Sequence, residues 1–225
     1  LDRGRPLSRE ESQTHTRDAV LAAAQELFLG QGFSGTTVAQ IAARAGRTQG
    51  AIYGNFDSKE ALCLAVLERH YQQSFAGLIE SMFATGELPE DGLGAIGSWW
   101  RSVGVNDEMN VLAVEFVLSV RRDPDKFAEV TQTAAMLKAL LHPVIAAQLG
   151  VGPEIDTAVE HATVGVLSVG VGLAVGRVIE LVGPEDSASV LTETLRLWTT
   201  KLRVLAATSG AATAHRSNRG SAEEL

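Results

Sequence analysis

The residues with the most chemistry to offer lie in Thr48–Asn55, TQGAIYGN. On a helix of barely two turns, Thr48, Gln49, Gly50, Ala51, Tyr53, Gly54 and Asn55 point outward, while Ile52 and Phe56 face inward with Ile41 and Ala42. The outward set has no Leu, Ile or Val, so it is not built to be buried in a core. A Gln49 amide can pair bidentately with an adenine edge, and the Ala51 methyl can meet a thymine methyl. Gly50, Ala51 and Gly54 leave room for close approach to a groove. Thr37, Tyr53, Asn55 and Lys59 carry donors suited to phosphate oxygens. Thr37 adds the positive end of a helix and Lys59 a formal charge. This is the chemistry of reading DNA, and a short turn between two helices is the geometry that presents it.

The elements that must position this face follow from local signals. Ser8 and Glu11 form a capping-box pattern that opens a helix over about 9–31, with Val20, Leu21, Ala24, Leu27 and Phe28 on its buried face. Gly30 and Gly32 end it. Thr37 and Gln40 form a second box, and the helix it opens stops at Gly46, a natural left-handed residue. Gly46-Arg47 makes the turn. Arg47 is open to two readings, solvated or reaching a phosphate. Asp57 and Glu60 form a third box, at the start of a long helix to about Phe83. Helical periodicity then recurs over about 91–104, 107–122, 125–149, 154–182 and 185–207, predicting an all-α protein of about nine helices. Pro124, Pro153 and Pro184 sit where first-turn prolines belong, and Pro143 should kink or interrupt its helix. The expected divisions are a basic flexible arm (1–8), a three-helix reading domain (9–57), a larger helical domain (58–207) reached through the long helix, and a disordered tail (208–225).

The formal charge of −8 sits awkwardly with a DNA partner until the chain is divided. Residues 1–60 hold seven basic and seven acidic residues, and the remainder holds twelve against twenty. Repulsion of phosphate is therefore concentrated away from the reading face. Arg3-Gly4-Arg5-Pro6 resembles an AT-hook core that enters a narrow minor groove, and a solubilising tail is the other reading. A polar, charged N-terminus and a single cysteine, Cys63, point to a cytoplasmic protein without disulfides. Cys63 reads as a packing residue first and a redox sensor second. His15, His70, His142 and His161 have no metal-ligand spacing, so no metal or cofactor is expected. No nucleophile elbow or phosphate loop is present to suggest an enzyme.

The string TTVAQIAARAG followed by TQGAIYGNFDSKEAL resembles the DNA-binding domain of the TetR family of bacterial regulators. The likeness covers about residues 14–65 and includes Thr36-Thr37, Ile41-Ala42, Ala45-Gly46, Tyr53, Phe56, Lys59 and Leu62. Arg47 departs from it, because the family usually has an aliphatic residue there. The resemblance implies a homodimer that binds a palindromic double-stranded operator and is released when a small molecule enters the larger domain. An activator, or a regulator governed by a protein partner, is the alternative.

The same resemblance implies that the last two helices pair with their copies. The last helix carries Leu191, Leu195, Trp198, Leu202 and Leu205 in steps of four and three, a heptad seam. The preceding helix offers small residues, among them Gly172 and Gly176. An intramolecular core is the competing reading of this seam. The glycine pattern at 170–176 lacks the strand–turn–helix context of a dinucleotide site. The apolar run 162–176 is too short to span a bilayer. Candidates for lining an effector pocket are Phe83, Trp99, Trp100, Met109, Phe116, Met136 and His161, each of which could equally be ordinary core. Glu115, between Val114 and Phe116, reads as an anchor for a cationic ligand or as a solvated or paired carboxylate.

Overall fold

The computed structural model describes residues 9–84, 91–102, 107–149 and 152–223, and every regular element among them is helical. In order these are α1 (Arg9–Gly35), α2 (Val38–Ala45), α3 (Gln49–Tyr53), α4 (Lys59–Ala84), α5 (Asp91–Ser102), α6 (Asp107–Val120), α7 (Pro124–Leu149), α8 (Asp156–Val178) and α9 (Pro184–Glu223). A single 3-10 turn, Pro153–Ile155, precedes α8. The three prolines open their elements as expected. The helix α7 runs on through Pro143, so the expected interruption does not occur.

The chain divides into two compact units. One comprises the chain to Ala76 together with Asn106–Val130, and the other comprises the remainder. The expected boundary at 57–58 therefore moves. The reason lies in α4, whose Leu62, Cys63, Val66 and Leu67 are buried in the same core as Val20, Ala24 and Phe28 of α1 and Ile41 of α2. Met109, Leu112, Phe116 and Val120 of α6 close that core from another side. A fully buried phenylalanine such as Phe28 contributes about 1.5–3 kcal/mol through removal from water alone. Cys63 is fully buried, and burial pushes its thiol up to about 12, which makes it a packing residue and an inert one.

Within this first unit, the chain between α1 and α2 is held by a small polar knot. Gly32 breaks the helical path of α1 with φ 73° and ψ 168°, a left-handed region that favours glycine. A Cβ built there would lie 2.8 Å from Glu115 Oε2, so a side chain at this position would also displace the carboxylate. The backbone N–H groups of Phe33 and Ser34, exposed by the break, donate to Glu115 Oε2 and Oε1, each at 2.9 Å. From the opposite polarity, Lys59 Nζ donates to the carbonyls of Phe33 and Thr36 at 3.0 and 3.1 Å and lies 4.2 Å from the centroid of the Phe33 ring. The Thr36 hydroxyl is buried 2.8 Å from the Gly32 carbonyl. Glu115 of α6 and Lys59 of α4 thus fix, from two sides, the connector that leads into α2.

The long helix α4 starts one residue later than the sequence pattern suggests. Ser58, rather than Asp57, is the cap, accepting the Ala61 N–H on its hydroxyl at 3.0 Å. Glu60 pairs instead with Lys126 of α7 at 2.8 Å.

The second unit has its own packing. Trp100 of α5 donates its indole N–H to Ser187 Oγ at 3.1 Å, and Gly97 lets α5 approach α9 so closely that a Cβ would lie 2.9 Å from Thr192 Oγ1. Gly165 of α8 lies under the Trp198 ring of α9, with a Cβ position 3.2 Å from it. The helix α9 continues to Glu223 and overrides the end expected near 207 and the unstructured tail expected over 208–225. Propagation adds one hydrogen bond per residue to an existing helix, and the alanines of this segment favour it. The helix α8 spans 23 residues with a window of mean hydropathy 1.6, so by length and composition it could cross a bilayer. The shorter run read from the sequence stopped at Arg177, which the helix includes.

Two predictions follow from the knot. Burial alone pushes the Glu115 carboxyl up. The Ser34 and Phe33 N–H donors, the Ser34 side chain and the Lys59 charge outweigh it and hold the carboxyl below its ordinary value. A depressed folded value stabilises the protein above the unfolded value and loses that stabilisation as pH falls through the folded one. The denaturation-midpoint difference between the parent and Glu115→Gln is therefore expected to be largest near neutrality and to close as pH drops below about 4.3. A difference independent of pH would contradict the assignment. Lys59→Met is expected to lower stability by about 1–2 kcal/mol in urea unfolding, because two carbonyls lose a charged donor. An unchanged midpoint would mean the ammonium is not held there.

Candidate nucleic-acid interface

The pair α2–α3 is built by local hydrogen bonds that leave one face free. Thr37 caps α2 through a complete box: its hydroxyl accepts the Gln40 N–H at 3.3 Å, and Gln40 Oε1 accepts the Thr37 N–H at 2.8 Å. Gly46 ends α2 in the left-handed conformation at φ 61°. Thr48 caps α3, accepting the Ala51 N–H at 3.1 Å. Behind this face Ile41, Ala42, Ile52 and Phe56 are buried as expected.

The outward set is largely where the sequence places it. Thr48, Gln49, Gly50, Tyr53 and Gly54 are exposed, with Tyr53 at 53%, and Ala51 and Asn55 are half-buried. The Thr48 oxygen accepts the cap bond, and its hydroxyl retains a donor. No described hydrogen bond engages the Gln49 amide or the Tyr53 hydroxyl.

Four expected contacts are changed by partners within the chain, two of them local and two tertiary. The Lys59 ammonium is committed to the carbonyls of Phe33 and Thr36, so it positions the connector rather than standing free for phosphate. Thr37 donates its hydroxyl proton to Gln40 Oε1 at 2.8 Å, and what it offers a phosphate is the first-turn N–H groups of the helix it caps. Asn55 donates from its side-chain amide to the Ala51 carbonyl at 2.8 Å, closing the end of α3. Arg47 is neither simply solvated nor aimed outward: its guanidinium lies 3.4 Å from His15 Nδ1 of α1 and also reaches the Gly46 carbonyl. Arg3 and Arg5 lie outside the described residues.

Sequence reasoning missed Arg17. It donates to the Asn55 carbonyl at 3.1 Å, and its guanidinium carbon sits 4.4 Å from the Phe56 ring centroid. No spacing signal marks a contact between residues 38 positions apart. Glu26 and Arg44 were missed for the same reason. They form a bidentate pair at 2.6 and 2.8 Å that joins α1 to α2, exposed and therefore worth little in stability.

The candidates for an effector pocket are divided between the two units. Met109 and Phe116 are buried in the core of the first unit, whereas Trp100, with Trp99 beside it, belongs to the α5–α9 cluster of the second. Met136 is 61% exposed and His161 is exposed, so neither lines an interior site within its own unit. The side chain of Phe83 lies outside the described residues. Glu115 is the connector's clamp, not an anchor for a cationic ligand. Among the described residues no group of three His, Cys, Asp or Glu could hold a metal ion.

The expected dimer seam takes part in packing within the chain. Leu191 and Leu202 are buried inside the single chain, and Leu195, Trp198 and Leu205 pack against the same intrachain clusters. Gly176 is buried beside Val182, whereas Gly172 is open. The densest apolar stripe was the core. A second stripe, seven residues apart, is exposed: Val164 and Val171 on α8, and Val190, Leu197 and Val204 on α9.

With this geometry in view, likeness to known proteins is informative. The family model for bacterial regulatory proteins of the tetR family matches residues 20–66. The transcriptional activator FasR of Mycolicibacterium smegmatis is 36% identical over 83 residues, 37% of this chain and 36% of that protein. The transcriptional repressor NemR of Escherichia coli is 35% identical over 78 residues, 35% of this chain and 39% of that protein. The matched stretches thus span little more than a third of these relatives. A solved TetR-family transcriptional regulator from Streptomyces coelicolor shares the fold over 85% of this chain and 97% of its own, with TM-score 0.61 and 18% identity. Taken with the capped helix-turn-helix and the helix order, these matches show that residues 20–66 resemble the regulatory-protein domain of the tetR family and that most of the chain shares its fold with a solved TetR-family regulator.

Proposed function

We propose that this chain regulates transcription by binding an inverted-repeat operator as a homodimer, with α3 reading bases in the major groove. The observation that carries this reading is the exposed face of α3. Gln49, Thr48 and Tyr53 present donors and acceptors on a helix whose inner side is locked by Ile52 and Phe56. A Gln49–adenine pair and an Ala51–thymine methyl contact supply sequence preference. The Thr48 hydroxyl, the Tyr53 hydroxyl and the N-terminal amides of α2 hold phosphates.

Two-fold pairing comes from the exposed stripe of α8 and α9. Val190, Leu197 and Val204 recur every seven residues, and Val164 and Val171 repeat that spacing on the neighbouring helix. A second copy of the same face is its natural cover, because a two-fold interface places the patch against itself. Two reading heads joined this way bind half-sites about one helical turn apart. A small molecule bound in the second unit of each protomer would release the operator by favouring a different separation of the heads. This step rests on the likeness to TetR-family regulators. The sign of regulation is read by a transcription assay, since the similar proteins include both an activator and a repressor.

Selection of bound duplexes from a random pool tests the reading. The parent chain is expected to enrich an inverted repeat. Gln49→Ala should lose preference at one position in each half-site, at a cost of about 1–3 kcal/mol there. An unchanged consensus would remove Gln49 from base reading. Val171→Glu with Leu197→Glu is expected to give monomers in sedimentation that no longer hold the repeat. A variant that stays dimeric would place the interface elsewhere.

A further inference from the structure

Beside the C-terminal end of α3 lies a polar notch of about 240 Å3, lined by Gln13, Thr14 and Arg17 of α1 and by Gly54 and Asn55. The Arg17 guanidinium is held in place at its edge. One N–H donates to the Asn55 carbonyl, and the plane lies over Phe56. A guanidinium has five N–H donors, so four remain after that bond. Gln13 and Thr14 are exposed and supply a neutral amide and a hydroxyl. Asn55 is itself anchored to Ala51, which ties its side of the notch to the reading helix.

We infer that this notch is a phosphate clamp that grips the DNA backbone flanking the bases read by α3. The inference rests on the DNA-binding reading above. A helix lying in a groove about 12 Å wide has phosphate walls on both sides. Lys59 is withdrawn into the connector, so the cation that meets a wall at this end of α3 is Arg17. A planar guanidinium with a fixed orientation binds phosphate bidentately, and such contacts set register without reading sequence. The clamp takes a phosphodiester, with Thr14 and Gln13 completing its hydrogen bonds.

The test uses the full chain, a duplex recovered by pool selection and a random-sequence duplex of equal length, with anisotropy read across a series of KCl concentrations. Arg17→Gln is expected to weaken both duplexes several-fold and to reduce the slope of log K against log salt by about 0.9 on each, while the selected consensus is unchanged. Arg17→Lys should restore much of the slope. Replacing single phosphates of the selected duplex by neutral methylphosphonates should find one flanking position that matters to the parent and not to Arg17→Gln. This readout does not move if Arg17 only braces Phe56. A full slope in Arg17→Gln, or equal sensitivity of both proteins at every phosphate, overturns the clamp and leaves the DNA-binding reading intact. A parent chain with no salt-dependent binding to either duplex overturns both.

Discussion

The reading head depends on one carboxylate. Glu115, from α6, accepts the N–H groups of Phe33 and Ser34 where Gly32 turns the chain out of α1. Without that acceptor the part-buried Phe33 donor would be left unpaired, a cost of about 1–3 kcal/mol, while the exposed Ser34 donor would turn to water. Lys59 does the complementary work on the Phe33 and Thr36 carbonyls. Because the backbone of 32–36 is held by opposite charges from two different helices, the start of α2 is fixed in direction. The helix α3 follows α2 through a turn only a few residues long, so it inherits that direction.

This arrangement explains why residues that look suited to DNA are turned inward. A lysine at the start of a long helix, next to a reading helix, carries the right charge for phosphate. It also has the right length to reach the carbonyls of the preceding connector, and a site with two acceptors and an aromatic face is the stronger one. On the proposed reading, the contacts left for DNA are the neutral face of α3, the amides of α2 and the cations contributed by α1. A head that is neutral overall, in a chain of net charge −8, fits a mode in which hydrogen bonds carry the register and a few fixed cations carry the attraction.

What was legible in the sequence was local. The Thr37–Gln40 box, the Gly46 stop and the inward pair Ile52 and Phe56 involve partners a few residues apart, and side-chain type and spacing determine them. The Ser58 cap was displaced by one position because Asp57 is chemically as good a cap. Glu115 with Phe33, Lys59 with Thr36 and Arg17 with Asn55 were not legible, because their partners are separated by 23 to 82 residues and no periodicity marks them. The stripe of α9 failed for a different reason. Periodicity identifies a face that will be buried without saying whether the chain's own helices or a second copy bury it. Here Leu191 and Leu202 met α5, α8 and the 3-10 turn, and the sparser valines stayed exposed.

The central claim is that α3 lies against base edges. Its most direct test is site-specific photocrosslinking, with a photoreactive residue placed at Gln49 in one full-length chain and at exposed Met136 in another, each mixed with the selected duplex. The account predicts a crosslink from position 49 to a base within the enriched half-site and none from position 136. Crosslinks from both positions alike, or from position 136 alone, would contradict it.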